Sequence, residues 1–254
     1  GVLSLSGNGV FTYTPATSFV GTDVFTYRTT DGQSTSAVAT VTIMVTGAGS
    51  PVFADNFTRG TDPGPLTPWV VKQGNWTVSG GELRGGINPL SSYGYVYLTN
   101  TWTDCVVSGR LRFPTGAYGG GLGARLNPVT GTRYAAWIYP DGSPGGARLL
   151  QLLKFSSWTA FTTMSPAVPL PPVGTNYHSL KLAVQGNRVA VHYDGHLLMG
   201  ATDASPLAGG GVTAEMWTDA TGYVMGMDDV LVGPQAADDN YSLAAGAAFN
   251  VPSG

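Results

Sequence analysis

A period of two, broken by turn residues, constrains this chain more than any other feature. Short runs of alternating apolar and polar residues are interrupted by 37 glycines and 17 prolines. Leu180, Leu182 and Val184 alternate with Lys181 and Ala183, Gly186 and Asn187 turn the chain, and Val189, Val191 and Tyr193 continue on the next run. Successive side chains of a strand point to opposite faces, so the pattern predicts half-buried strands. No stretch sustains the 3.6-residue period of a helix, and so many glycines and prolines would break one. The chain is therefore expected to be all-β, with many short strands. Asp194-Gly195 predicts a two-residue hairpin, because both central residues of that turn take positive φ.

Charge narrows the function. Only 11% of residues are charged, the net charge is −3, and no Lys/Arg stripe is visible. Nucleic acid is therefore not an expected partner. No apolar run reaches the roughly 18 residues a membrane helix needs, so membrane insertion is not expected either. Cys105 is the one cysteine, which excludes a disulfide within the chain; in Cys105-Val-Val it reads as a small buried hydrophobe.

The chain changes texture twice, at Thr46-Gly-Ala-Gly-Ser-Pro51 and at Gly233-Pro-Gln-Ala-Ala237. The expected organisation is a head over 1–46, a linker over 47–51, a large domain over 52–233, and a linker and strand segment over 234–254. The large domain carries Phe53-Ala-Asp-Asn-Phe57, Trp76-Thr-Val-Ser-Gly-Gly-Glu-Leu83, Tyr177-His-Ser-Leu-Lys-Leu182, Arg188-Val-Ala-Val-His-Tyr-Asp-Gly195 and Met227-Asp-Asp-Val-Leu-Val232. In that order these pieces resemble the concanavalin A-like (LamG-like) jelly rolls of bacterial lectins, carbohydrate-binding modules and some glycosidases. The head carries Gly9-Val-Phe-Thr-Tyr-Thr-Pro15, Gly21-Thr-Asp-Val-Phe-Thr-Tyr27 and Ala39-Thr-Val-Thr-Ile-Met-Val45. It resembles the second half of the cadherin-like, Ig-like modules that repeat in bacterial surface proteins. Ala237-Asp-Asp-Asn-Tyr-Ser242 and Phe249-Asn-Val-Pro-Ser-Gly254 resemble the opening of the same module. The expected fold is thus a jelly-roll β-sandwich plus an incomplete Ig-like module split between the termini. The resemblance implies a bacterial extracellular or cell-surface setting, with any signal sequence outside this chain.

Glycoside hydrolysis usually needs two carboxylates flanking the scissile bond. The Glu-x-Asp-x-x-Glu strand of the glucanase relatives is absent, and the chain has two glutamates, Glu82 and Glu215. Glu215 stands alone on a predicted strand and reads as an outward polar residue, although an aspartate from elsewhere would complete a pair. The expectation is that the chain is not an enzyme. The resemblance implies a structural calcium joining the first strand region to the last strand, with Asp55, Gly81, Asp228 and Asp229 as candidate ligands. Asp228 and Asp229 are expected to point to opposite faces, so that one of them binds.

Sugar recognition uses aromatic platforms with polar groups around them, since a pyranose presents apolar C–H faces and a rim of hydroxyls. Tyr93, Tyr95, Tyr118, Trp158 and Tyr223 lie near turn-rich segments and are the candidate glycan contacts. Trp76, Trp102, Trp137 and Trp217 lie in apolar strand settings and are expected in the core. The head has Phe11, Tyr13, Phe25 and Tyr27 to bury and few strands to bury them; the tail offers Tyr241, Leu243, Phe249 and Val251. The leading expectation is a structural repeat, in which the tail of one copy completes the Ig-like module of the next in a head-to-tail array. The alternative is a carbohydrate-binding module with Ig-like spacers.

Overall fold

A computed structural model describes residues 1–7, 9–16, 19, 21–45, 53–86, 92–114, 118–218 and 224–233. The expected linker at 47–51, the segment 234–254 with Tyr241, Leu243, Phe249 and Val251, and Tyr223 lie outside these residues. Among the described residues there are strands and no helix.

In chain order the strands begin β1 (Val2–Leu5), β2 (Phe11–Thr14), β3 (Gly21–Tyr27), β4 (Ala39–Val45), β5 (Phe53–Asp55), β6 (Val70–Gln73) and β7 (Asn75–Ser79). β8 (Glu82–Gly86), β9 (Ser92–Trp102), β10 (Cys105–Arg112), β11 (Gly119–Leu126), β12 (Arg133–Tyr139), β13 (Leu149–Phe155) and β14 (Phe161–Thr163) follow. The last are β15 (Val168–Pro169), β16 (His178–Gln185), β17 (Arg188–Tyr193), β18 (His196–Thr202), β19 (Gly210–Thr218) and β20 (Met225–Gly233).

The head forms two hairpins, β1 with β2 and β3 with β4. Phe11 and Phe25 meet edge to face across them, with ring centroids 5.1 Å apart, and the Tyr13 hydroxyl donates to Asp23 at 2.5 Å. Along β4, Ala39, Val41, Ile43 and Val45 are half-buried while Thr40 and Thr42 are exposed, as the alternation predicts.

The large domain is a jelly-roll sandwich of two antiparallel sheets. The first runs β18-β17-β16-β10-β20-β8-β7, with β5 also on β20; the second runs β14-β13-β12-β11-β19-β9-β6, with β15 on β13. Between them lies one core, drawing Val107, Leu111, Leu182 and Val232 from the first sheet and Leu122, Ala136, Ile138, Val212 and Met216 from the second. Burying such side chains contributes about 1.5–3 kcal/mol each. Trp76 and Trp102 join this core, as expected. Asp194 and Gly195 turn β17 into β18 with φ of 47° and 80°, the positive values the sequence calls for.

At one end of the sandwich, buried Arg125 ties loops together. Its guanidinium donates to the carbonyls of Thr103, Gly186 and Leu207 and to the Asp104 carboxylate, at 2.7–2.9 Å.

Candidate functional site

The second sheet also buries much of its outer face. Along β12, Tyr134, Ala136 and Ile138 join the core, while Ala135, Trp137 and Tyr139 pack on the far side with Leu153, Phe155, Tyr93 and Trp217. Trp137 is buried as expected, but in this second cluster and not between the sheets; Trp217 is only partly buried against it, which corrects the expectation for that residue. Both faces of these strands are covered by side chains, so an apolar setting does not tell inside from outside.

Cross-strand register explains the shape of that face. Tyr93 on β9 pairs with Trp217 on β19, which pairs with Gly119 on β11. In the next row Tyr95 pairs with Glu215, Glu215 with Gly121, and Gly121 with Trp137. In the third, Tyr97 pairs with Thr213, Thr213 with Gly123, and Gly123 with Ala135. Every outward position of β11 in these rows is glycine, so the sheet has a low floor between aromatic walls. A Cβ at Gly121 would strike the backbone carbonyl of Ala136, and one at Gly123 the Thr213 hydroxyl and the Glu215 carboxylate.

A cavity of about 300 Å³ opens at one end of this trough, lined by Tyr93, Tyr118, Gly119, Trp137, Tyr139, Ser143, Pro144, Gly145 and Trp217. Tyr118 and Trp217 pack with centroids 4.8 Å apart, and Trp137 stands edge-on to Tyr93 at 5.9 Å. Tyr118 holds φ of 63°, a conformation that a bulky residue seldom adopts and that is concentrated at ligand sites. The Trp137 indole N–H is buried and has no hydrogen-bond partner among the described residues. Burial, then electrostatic coupling to Tyr93 and to the Glu215 carboxylate, pushes the Tyr139 hydroxyl up to about 12. Burial and the Glu215 charge also raise that of Tyr93. Both phenols therefore remain neutral donors in ordinary buffers.

The middle of the same face is closed by an ion pair. Arg133 Nη2 donates to Glu215 Oε2 at 2.5 Å and Arg133 Nε to Oε1 at 3.0 Å, and both side chains are fully buried. The Thr213 hydroxyl donates to Glu215 Oε1 at 2.9 Å. The guanidinium lies 3.6 Å from the centroid of the Phe155 ring and 4.9 Å from that of Tyr95. Glu215 does point outward, but it is sealed and paired with an arginine rather than an aspartate.

Of the expected glycan contacts, Tyr93 and Tyr118 line the cavity. Tyr95 and Trp158 do not: Trp158, on the β13–β14 connection, packs over Tyr95 at 5.0 Å and accepts its hydroxyl at the backbone carbonyl. Both cover the ion pair. Sequence reading missed Trp137, Tyr139, Ser143 and Trp217 as lining residues. The usable signal was the spaced glycines of β11.

The expected calcium ligands do not fit an oxygen cage. The buried Asp55 carboxylate accepts from Arg59 Nη1 and Nη2, Trp69 Nε1 and the Phe57 amide, at 2.8–3.0 Å. Those four bonds use the acceptor capacity of a carboxylate. Asp228 and Asp229 do not point apart as expected. Ladder register shifts opposite them, Asp229 has φ of 49°, and both carboxylates reach Arg110 at 2.7 Å. The bulge rotates the second side chain onto the face of the first. Gly81 lies in the exposed β7–β8 turn. Among the described residues, no three His, Cys, Asp or Glu side chains gather as a metal set.

Comparison with known proteins places this geometry. Residues 1–44 match the family model described as "Bacterial Ig domain". No curated protein matches the chain. Among solved structures, a carbohydrate-binding module of Bacillus subtilis, CBM66, superposes with a TM-score of 0.56 at 17% identity, covering 66% of this chain and 96% of its own. A Bacillus licheniformis β-glucanase gives 0.56 at 13%, covering 72% and 98%. A Bacillus subtilis protein of unknown function with a galectin-like fold gives 0.55 at 13%, covering 72% and 96%. At these identities the likeness is one of fold.

Two expectations are corrected by these neighbours. The expectation of a non-enzymatic structural repeat is withdrawn, because the fold is shared with a carbohydrate-binding module and with glucanases. The expectation that the chain is not an enzyme is withdrawn on the same finding, since several of the structures sharing its fold are β-glucanases.

Proposed function

We propose that the jelly roll binds carbohydrate in the aromatic cavity on the outer face of its second sheet. The observation that carries this reading is the lining itself. Tyr93, Tyr118, Trp137, Tyr139 and Trp217 surround about 300 Å³, with the Ser143 residue at the wall. Apolar ring faces meet the C–H faces of a pyranose, and phenol hydroxyls meet its hydroxyl rim. The volume is at the lower end of the range for small-ligand clefts, roughly 300–1,000 Å³. The Ig-like head serves as a spacer in this reading. An extracellular setting accords with it, and among the described residues no helix is long and apolar enough to cross a membrane.

The test is a glycan array followed by calorimetric titration of the best ligand against the whole chain. Trp217→Ala is expected to weaken binding at least about tenfold, an aromatic contact being worth about 1 kcal/mol beyond its buried area. Chromatography of the ligand after incubation separates binding from cleavage. Absence of binding at millimolar ligand across the array refutes the proposal.

A further inference from the structure

Among the described residues, the cavity wall contains no carboxylate, guanidinium, ammonium or imidazole. The two charges built into the same face, Arg133 and Glu215, neutralise each other and are fully buried. Their contacts are already committed: Glu215 to Arg133 and Thr213, Arg133 to Glu215 and the Gly131 carbonyl. Neither is free to meet a ligand charge. What remains facing the cavity is mostly aromatic surface, with uncharged Ser143, Pro144 and glycine at its wall. An aromatic ring presents a negative π face, which attracts C–H groups and repels an anion. A carboxylate moved from water into such a wall loses its hydration and meets no cation, which is costly. The phenol groups of Tyr93 and Tyr139 stay protonated and add no charge of their own.

We propose that the cavity selects uncharged sugar residues and rejects uronic acids of the same ring and linkage. The inference rests on the reading of the cavity as a glycan site and specifies its substrate class. The discrimination comes from desolvation at the wall and not from the net charge of −3. Long-range repulsion from net charge is screened within a few ångströms at molar salt, whereas a desolvation cost is not.

The experiment uses the whole chain and matched probes. A panel of neutral oligosaccharides is compared with forms oxidised at C6, which keep ring and linkage and add a carboxylate. Each pair is titrated in 0.1 M and in 1 M sodium chloride. The expected result is an acid form bound at least about tenfold more weakly at both salt concentrations, in line with the cost of burying an unpaired polar group. A variant Pro144→Arg places a cation at the exposed rim of the cavity and is expected to narrow that ratio, with its folding checked by circular dichroism. Equal or tighter binding of the acid forms overturns the inference, as does a preference that disappears at high salt. Binding of neither form overturns the carbohydrate reading itself, so the two failures are distinguishable.

Discussion

Glu215 carries a fully buried charge that one partner, Arg133, matches. A buried ion pair contributes little net stability against an apolar pair of the same volume, but a broken one leaves a buried charge unmatched. Glu215→Ala is expected to destabilise the domain by about 3–5 kcal/mol, since Arg133 would lose its carboxylate while remaining under Phe155 and Tyr95. The double variant Arg133→Met with Glu215→Leu is expected to recover most of that loss. Urea unfolding of the two variants decides the matter; a double variant as unstable as the single one would show that the pair does more than cancel its own charges. This pairing was not legible in the sequence. Arg133 and Glu215 are 82 residues apart, and only the common neighbour β11 brings β12 and β19 into range. The Asp228–Asp229 step was misread for a related reason. Strict alternation sends the two side chains apart, and a bulge cancels that alternation locally.

Strand β11 decides the shape of the face. Its glycines at 119, 121 and 123 share the outer face, and their effect depends on what stands beside them. Trp137 on β12 and Trp217 on β19 rise on the flanking strands, with Tyr93 and Tyr95 on β9 beyond, and turn the low strand into the floor of a trough. Gly121→Ala is expected to destabilise by about 1–3 kcal/mol, because the new Cβ meets the rigid Ala136 carbonyl and forces the β11–β12 ladder apart. It should weaken glycan binding as well, by displacing Trp137. Gly60→Ala, where a Cβ meets nothing and φ is ordinary, is the matched control and should leave both stability and binding unchanged. Thermal unfolding and titration of the two variants check the pair.

Across the whole sandwich, acid stability has an identifiable source. Burial alone would raise the Glu82 carboxyl, but hydrogen bonds from Arg112, Tyr177 and Arg84 outweigh it and lower its pKa from 4.5 to about 2. Glu82 stands at the head of β8, Arg112 at the end of β10, and Tyr177 just before β16, so one carboxylate links three parts of the first sheet. A depressed carboxyl pKa stabilises the fold above its unfolded value. That contribution is lost as pH falls from about 4.5 through about 2. At most it amounts to about 3 kcal/mol, from 1.36 kcal/mol per pKa unit. Glu82→Gln is expected to be less stable than the parent at pH 7 and to lose less stability between pH 4.5 and 2. Chemical unfolding across that range checks it, and parallel pH profiles for the two proteins would contradict the assignment.

By itself the sequence determined the all-β class, the two strands on either side of Gly186-Asn187 and the Asp194-Gly195 hairpin. These follow from backbone preferences and from a period of two, both of which act between near neighbours along the chain. Tertiary structure alone decided which face of the second sheet turns toward the core, where Trp137 and Trp217 lie, and which charge meets Glu215. A strand has two faces, and when both are covered by large side chains its own pattern cannot say which packs against the opposite sheet. That choice is made by partners distant in sequence, and it places the aromatic cavity on the outside of the second sheet.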